Sequence, residues 1–319
     1  MSPKIIVSII NYRTYELTIN CVSSVLDAMD QHDVHTVVVD NDSNDGSAEK
    51  IDDWIQTKGL TDRVSLVQSK TNSGFSGGHN QGIQYAEAEF YLILNSDALL
   101  RHGFFDAILS AADQDKGAGF IAPRLEDEDG TPQVSCFRFH SPIGEFVRAA
   151  HTGFITRVLK RWDIPLGIDP KPANIEWASF ACILVRQDVV DSIGLMDDDY
   201  FLYYEDEDYC FSARQNGWAV GFAPEARAVH FRGGSGPVKA LEKQQKRRPK
   251  YYYESRARFF RKAYGRHGFI IGNCLWWLGR AIANGRRLIG KDVPTIIERE
   301  GKDIWIRSAS THKDQPAEA

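Results

Sequence analysis

Between Lys4 and Pro123, apolar runs of strand length alternate with segments of helical period, and that alternation constrains the fold more than any other feature. Strands are expected at Lys4–Ile10, His35–Val39, Val64–Gln68, Phe90–Leu94 and Gly119–Pro123. Helices fall between them over about Thr14–Met29, Ala48–Lys58, a stretch ending near Ala86, and Phe104–Asp113. Strand, helix and strand in repetition implies βαβ crossovers, so the chain predicts an α/β fold with a mostly parallel central sheet flanked by helices. Phe90-Tyr91-Leu92-Ile93-Leu94 has no polar face, and such a strand is covered by helices on both sides. It stops abruptly on Asn95-Ser96-Asp97.

Open α/β sheets bind ligands beyond the carboxyl ends of their strands. Three strands here end on polar chemistry: Asn11-Tyr12, Asp40-Asn41-Asp42 and Asn95-Ser96-Asp97. Asp97, with Asn95 and water, could hold Mg2+ or Mn2+ against a diphosphate. The same triplet also reads as a turn. Asp40, as the strand-terminal acid, is placed to accept hydrogen bonds from a base N–H or a ribose hydroxyl, and Tyr12 to stack beside a base. Asp42 reads as an Asx-turn. The segment Asn72–Gly82, which includes Asn80, carries four glycines and no following lysine, so it is neither a Walker loop nor a dinucleotide fingerprint. Its glycines allow close approach either to a ligand or to a neighbouring strand.

The alternation fails over 125–175, read as an irregular insertion with one helix around Ile143–Leu159. Ile175–Val185 reads as a strand. Tyr200–Tyr204 reads as an aromatic strand leading into Glu205-Asp206-Glu207-Asp208 and a helix. Four adjacent carboxylates repel one another. A helix N-terminus relieves part of that and accounts for Glu207 and Asp208. Glu205 and Asp206 are better placed to face a cleft. Ala219–Ala223 and Ala226–Val229 read as short strands. His230 follows, before a glycine-containing loop, where imidazole would serve as a third metal ligand.

The net charge of −5 argues against nucleic acid as a partner. The 5 cysteines form no CxxC pair, which suggests reduced thiols in a cytosol. No signal peptide and no run of apolar residues long enough to span a bilayer is evident. Charge is unevenly spread: Lys239–Gly268 holds eleven Lys/Arg and two Glu, +9 locally, leaving −14 elsewhere. The region 237–307 reads as basic, aromatic helices with a break near Pro249 and with Trp276, Trp277 and Leu278 on one side. That pattern suits either an anionic membrane surface or helices packed on the catalytic domain. The polar end, 308–319, reads as a disordered tail.

Taken together, VSIINYR, VVVDNDSNDGS, NSGFSGGHNQGI, YLILNSDALL, WASFACILVR, FLYYEDEDYCFSARQNGW and AVHFRGGS resemble the family 2 glycosyltransferases of GT-A fold, bacterial rhamnosyltransferase-like members among them. The matching segments run in order over roughly residues 4–236, which implies a GT-A catalytic domain at 1–236. The resemblance implies inverting, metal-dependent transfer from a nucleotide-sugar such as dTDP-rhamnose or a UDP-sugar. The acceptor it implies is a glycan or a polyprenyl-linked glycan, handled at the inner face of the cell membrane in cell-surface polysaccharide synthesis. Asn95-Ser96-Asp97 stands where the family has its DxD motif, with Asn in place of the first Asp. Asp206 aligns with the catalytic base, His230 with a metal-proximal histidine, Asp40 with the base-recognising acid and Trp177 with an acceptor-side aromatic. The resemblance also places Asn11, Tyr12, Asn80, Asn95 and Ser96 on the donor side and Glu205 on the acceptor side. A reading from another class stays open because of Asn95: a catalytically inactive sugar-nucleotide or glycan-binding module.

Overall fold

A computed structural model describes residues 3–232 and 238–308. In chain order the elements are β1 (Ile5–Asn11), α1 (Tyr15–Ala28), β2 (Val34–Asp40), α2 (Ser47–Lys58), β3 (Val64–Gln68), α3 (Gly74–Ile83), β4 (Phe90–Asn95), β5 (Ala98–Leu100), α4 (Phe104–Gln114) and β6 (Ala118–Glu126). Then come β7 (Cys136–Phe137), α5 (Pro142–Ala150), α6 (Gly153–Val158), β8 (Trp177–Ala178), β9 (Cys182–Arg186), α7 (Gln187–Ile193), α8 (Glu205–Gln215), β10 (Ala219–His230), α9 (Val238–Lys243), α10 (Lys250–Leu288) and α11 (Glu300–Asp303). The glycines expected after His230 and the tail beyond 308 lie outside the described residues.

Among the described residues the main sheet runs β3-β2-β1-β4-β9-β6-β10-β5. Side chains alternate across it as period two requires. Ile5, Val7 and Ile9 of β1 and Phe90, Leu92 and Leu94 of β4 pack with α1, α2 and α4 on one face. Ile6, Tyr91 and Ile93 pack with α3, α7 and α8 on the other. Phe90–Leu94 are all at most 2% exposed, so each side chain contributes about 1.5–3 kcal/mol of burial.

The sheet is mixed, with four parallel and three antiparallel pairings among the described residues. The reversal comes from β9, which enters after the irregular insertion and lies antiparallel between β4 and β6. Two reversals restore direction, so β6 and β10 point the same way as β1, β2 and β4. Asn11, Asp40, Asn95 and His230 therefore end their strands on one edge. Register agrees, with Asn11 opposite Asp40 and Ile10 opposite Asn95.

Three local expectations change. The strand expected over Ile175–Val185 is divided into β8 and β9. The Ser179 N–H bonds the Ser135 carbonyl, whereas the Ala181 carbonyl accepts the Asn95 N–H, so the backbone switches sheets between them. The two short strands after Trp218 are one, β10, with a register break between Ala223 and Arg227 where Pro224 offers no N–H to the ladder. Tyr200–Tyr204 is not a strand. Tyr203 and Tyr204 adopt left-handed backbone (φ 71 and 69), and Tyr200 and Tyr204 are buried with Phe259, Phe260 and Phe269 of α10.

The C-terminal region packs closely on the sheet domain. α10 lies along α5 and is kinked at Gly265 (φ 67). Much of its basic charge is neutralised internally. Arg247 pairs with Asp303, Arg248 with Glu242 and Glu300, Arg256 with Glu145, Arg258 with Asp197 and Asp199, and Lys262 with Asp208. No helix among the described residues is long and apolar enough to cross a membrane.

Candidate active site

The shared strand edge places the candidate residues in two groups. On the β1–β2 side, Asp40 is 5% exposed and its carboxylate is held by the Asn11 amide (2.6 Å), the Ser43 hydroxyl (2.5 Å) and the Ser43 N–H (3.2 Å). Asn11 and Asp40 thus form the floor of this side. Tyr12 stands half-buried above them, with the Arg13 guanidinium 5.1 Å from its ring centre. Asp42, at φ 63, accepts from the Asn44 amide at 2.6 Å and closes a local turn.

On the β4–β10 side the polar triplet is both strand end and turn. The chain reverses through Ser96 and Asp97 into β5, which pairs with β10 so that Ala98 lies opposite His230. That brings Asp97 Oδ1 and His230 Nε2 to 3.6 Å, with Asp97 1% and His230 8% exposed. Two donors so close suit a single cation that keeps water and substrate phosphates as its remaining ligands. Among the described residues no group of three or more His, Cys, Asp or Glu could hold a metal ion by itself. Gln133, not signalled by any spacing in the sequence, backs His230: its amide donates to the His230 carbonyl (2.8 Å) and to Asp127 (2.6 Å), while its oxygen accepts from Arg232 (2.6 Å). Ser96 shares a 3.4 Å hydroxyl contact with Thr14.

The glycine-rich segment has a structural reason that the sequence left open. Gly74 sits at φ +70, and a Cβ there would overlap the Phe201 carbonyl oxygen, which accepts the Phe75 N–H at 2.7 Å. Asn80, expected on the donor side, is buried. Its amide bonds the backbone of Met196 twice, at 2.8 and 3.1 Å. Gly74 and Asn80 therefore anchor the 196–201 segment that leads into α8.

At the start of α8 the four carboxylates separate by role. Glu207 takes the backbone N–H and the ring of His140 (2.5 and 2.6 Å). Asp208 takes the Tyr200 hydroxyl (2.9 Å) and Lys262 (2.7 Å). Glu205 is 6% exposed, and one of its oxygens is buried with no hydrogen-bond partner. Burial, reinforced by Asp206, holds its carboxyl well above the carboxylate range. Of the four, Asp206 alone remains partly exposed. Burial raises it to about 7, opposed by backbone N–H groups of Glu207 and Phe180 and by His140. Burial opposes the charge on His140, but Glu207 beside it outweighs that and raises its pKa.

Phe180 links the two groups. Its N–H serves Asp206, and the next residue, Ala181, accepts the Asn95 N–H at 2.9 Å. Asp206 and the Asn95–Asp97 turn therefore flank the short segment between β8 and β9. Trp177 of β8 is half-buried, stacked on Phe137 (4.4 Å between centroids), with His140 6.3 Å away. The Asp97–His230 pair and the Asp206 carboxylate of raised pKa thus lie on either side of that segment.

A mixed sheet with acids gathered on its carboxyl edge is the architecture of nucleotide-sugar transferases of the GT-A kind, and solved structures share it. The mannosyltransferase PcManGT from Pyrobaculum calidifontis, in complex with GDP-Man and Mn2+, aligns over 92% of this chain and 77% of its own (TM-score 0.57, 14% identity). GalNAc-T7 with UDP, GalNAc and Mn2+ aligns over 80% of this chain and 47% of its own (TM-score 0.56, 16% identity). The model of the family described as glycosyl transferase family 2 matches residues 5–194. The chain belongs to that family. Curated relatives include the low-salt glycan biosynthesis hexosyltransferase Agl10 of Haloferax volcanii, 25% identical over 70% of this chain and 65% of the relative. The N-acetylglucosaminyl-diphospho-decaprenol L-rhamnosyltransferase of Mycobacterium tuberculosis is 26% identical over 63% of this chain and 68% of its own. The dTDP-rhamnosyl transferase RfbF of Shigella flexneri is 22% identical over 69% and 67%. The chain thus spans about two thirds of the length of the curated relatives it matches.

Proposed function

We propose that the chain transfers a hexose or deoxyhexose, with inversion, from a nucleotide-sugar to a hydroxyl of a glycan or polyprenyl-linked acceptor, with Asp206 as general base. The observation that carries this reading is the isolation of Asp206. Of four consecutive carboxylates it alone is only partly buried, and that burial raises it to about 7, where a carboxylate is basic enough to work near neutrality. Ionised Asp206 takes the proton of the acceptor hydroxyl as that oxygen attacks the anomeric carbon. The bond from that carbon to the diphosphate oxygen breaks, and the nucleoside diphosphate leaves with the electron pair. Inversion needs one such displacement and no nucleophile from the chain. Burial and the Asp206 charge both disfavour the ionised form of Glu205, which limits a second negative charge beside the base.

On this reading Tyr12 flanks the base, Asn11 and Asp40 shape the nucleoside end, and Asn95 and Ser96 line the donor. Trp177 offers its ring to the acceptor, and Asn80 acts by anchoring the approach to α8. Asp97 and His230 would hold Mg2+ or Mn2+, which when bound stabilises the charge on the departing diphosphate. The names of the relatives support dTDP-rhamnose as a donor and a decaprenyl-diphosphate glycan as an acceptor type. A lipid-linked acceptor would bring the chain to the cytoplasmic face of a membrane as a peripheral protein. A panel of dTDP-rhamnose, UDP-sugars and GDP-mannose with Mn2+ and acceptors tests this, product configuration being read by NMR. An inverted anomeric product is expected. Donor binding with no transfer to any acceptor would instead favour the inactive binding module.

A further inference from the structure

Beyond Gly265, α10 carries two features that the catalytic cleft does not use. The first is an uncharged exposed stripe. Gly268–Gly279 contains no charged residue, and the positions left in solvent, Ile270, Ile271, Cys274, Trp277, Leu278 and Ala281, recur at the spacing of one helix face. Ile271 is 51%, Trp277 47% and Leu278 52% exposed, and the stripe continues into Leu288 and Ile289. The second is a cavity of about 350 Å³ beside the stripe, lined by Trp276, Trp277, Arg280, Asn284, Arg287, Thr295 and Ile296.

The cavity is cationic at its floor. Arg280 is only 4% exposed, and among the described residues its guanidinium makes one hydrogen bond, a long 3.5 Å contact to the Pro294 carbonyl. Arg287 bonds the backbone carbonyls of Val293 (2.8 Å) and Pro294 (3.2 Å). Among the described residues neither guanidinium has a carboxylate in ion-pair contact, in contrast to Arg256, Arg258 and Lys262 earlier in α10. Burial pulls the Arg280 pKa down; Glu300 partly offsets this, whereas the Arg287 and Arg148 charges add to it. A buried guanidinium beside a second one is stabilised by an anion. The rim is apolar: Trp277 and Ile296 line the cavity and are themselves exposed. A cationic floor with an apolar rim that runs into an apolar stripe is complementary to an amphiphile with an anionic head.

We propose that this face of α10 seats the chain on an anionic phospholipid bilayer. A lipid phosphate binds between Arg280 and Arg287, and Ile270, Ile271, Trp277 and Leu278 enter the acyl boundary. The inference rests on the membrane placement given above and assigns it to this face, in place of the ion-paired basic segment before Gly265.

The full chain is tested by co-sedimentation with vesicles of phosphatidylcholine alone or doped with phosphatidylglycerol. Wild type should bind the doped vesicles preferentially. Ile271→Glu/Leu278→Glu should lower that binding by about tenfold or more, and Arg287→Gln should lower the preference for phosphatidylglycerol by about fivefold. Circular dichroism and turnover with a soluble acceptor should stay at the wild-type level in both variants. Arg280→Gln is read only if its melting curve is unchanged. Wild type that binds neither vesicle overturns the membrane placement itself and leaves the transfer reaction untouched. Wild type that binds while all variants bind equally well overturns the assignment to α10. A dimer in light scattering that Leu278→Glu dissociates, or stabilisation by inorganic phosphate that vesicles do not exceed, also overturns it.

Discussion

Replacing Gly74 with alanine tests whether the glycine-rich segment exists to hold the entry to α8. Gly46 supplies the control, because both residues are left-handed (φ +70 and +81) but only Gly74 has a neighbour where a Cβ would go. Alanine in that conformation costs about 1 kcal/mol at either site. At position 74 the methyl group must also displace the Phe201 carbonyl. That loses the Phe75 N–H bond, about 1 kcal/mol, and adds overpacking of about 1–3 kcal/mol. Gly46→Ala should therefore lose about 1 kcal/mol, and Gly74→Ala about 3–5 kcal/mol, in urea unfolding. The displaced carbonyl lies five residues before Asp206, so Gly74→Ala should also lower turnover more than donor affinity. Equal losses in the two variants, or wild-type turnover in a folded Gly74→Ala protein, would refute the coupling.

Other perturbations separate the parts of the site. Asp97→Ala should abolish Mn2+-dependent donor binding measured by calorimetry, whereas His230→Ala should weaken it less, since water can replace one ligand; undiminished affinity in a folded Asp97→Ala protein would sink the assignment. Asn80→Ala leaves two Met196 backbone groups without partners and should cost about 2–4 kcal/mol in thermal unfolding, with donor binding retained in the folded fraction. Glu145 is buried, which by itself would raise its pKa, but Arg148 and Arg256 overcome this and lower it from 4.5 to about 2. Its stabilising contribution is therefore present above pH 4.5 and lost as pH falls toward 2. Glu145→Gln should cost about 3–5 kcal/mol near neutrality and flatten acid unfolding over that range.

Local signals carried the first half of the fold and most of the strand-end chemistry. β1 to β4 are long, strongly patterned runs, and a polar residue at the end of a parallel strand can only fall on one edge. The insertion of β9 was hidden because strand direction depends on what precedes it, and 125–175 has no period from which to read a crossover. The Tyr200–Tyr204 segment looks like a strand by composition, but its rings are claimed by α10, sixty residues away in sequence. The same distance hides the partners of Glu207 and Asp208, namely His140 and Lys262. Gln133 gave no signal, since a glutamine in an irregular stretch acquires its role only when β6 and β10 meet. The basic segment after Pro237 reads as a charged surface, yet its arginines pair with acids from three other places in the chain, Glu145, Asp197 and the Glu300–Asp303 helix, which charge counting along a sequence does not reveal.

The central claim is that Asp206 is the general base, and the pH dependence of kcat/KM for transfer tests it most directly. A base must be ionised, so wild-type activity should rise with pH through about 7 and then level. Asp206→Asn should lose roughly 10²–10⁴-fold in turnover, keep donor binding and lose that ascending limb. Glu205→Gln should keep the limb, because burial disfavours the ionised form of Glu205 and leaves Asp206 as the base. An ascending limb that survives in Asp206→Asn and vanishes in Glu205→Gln would contradict the account.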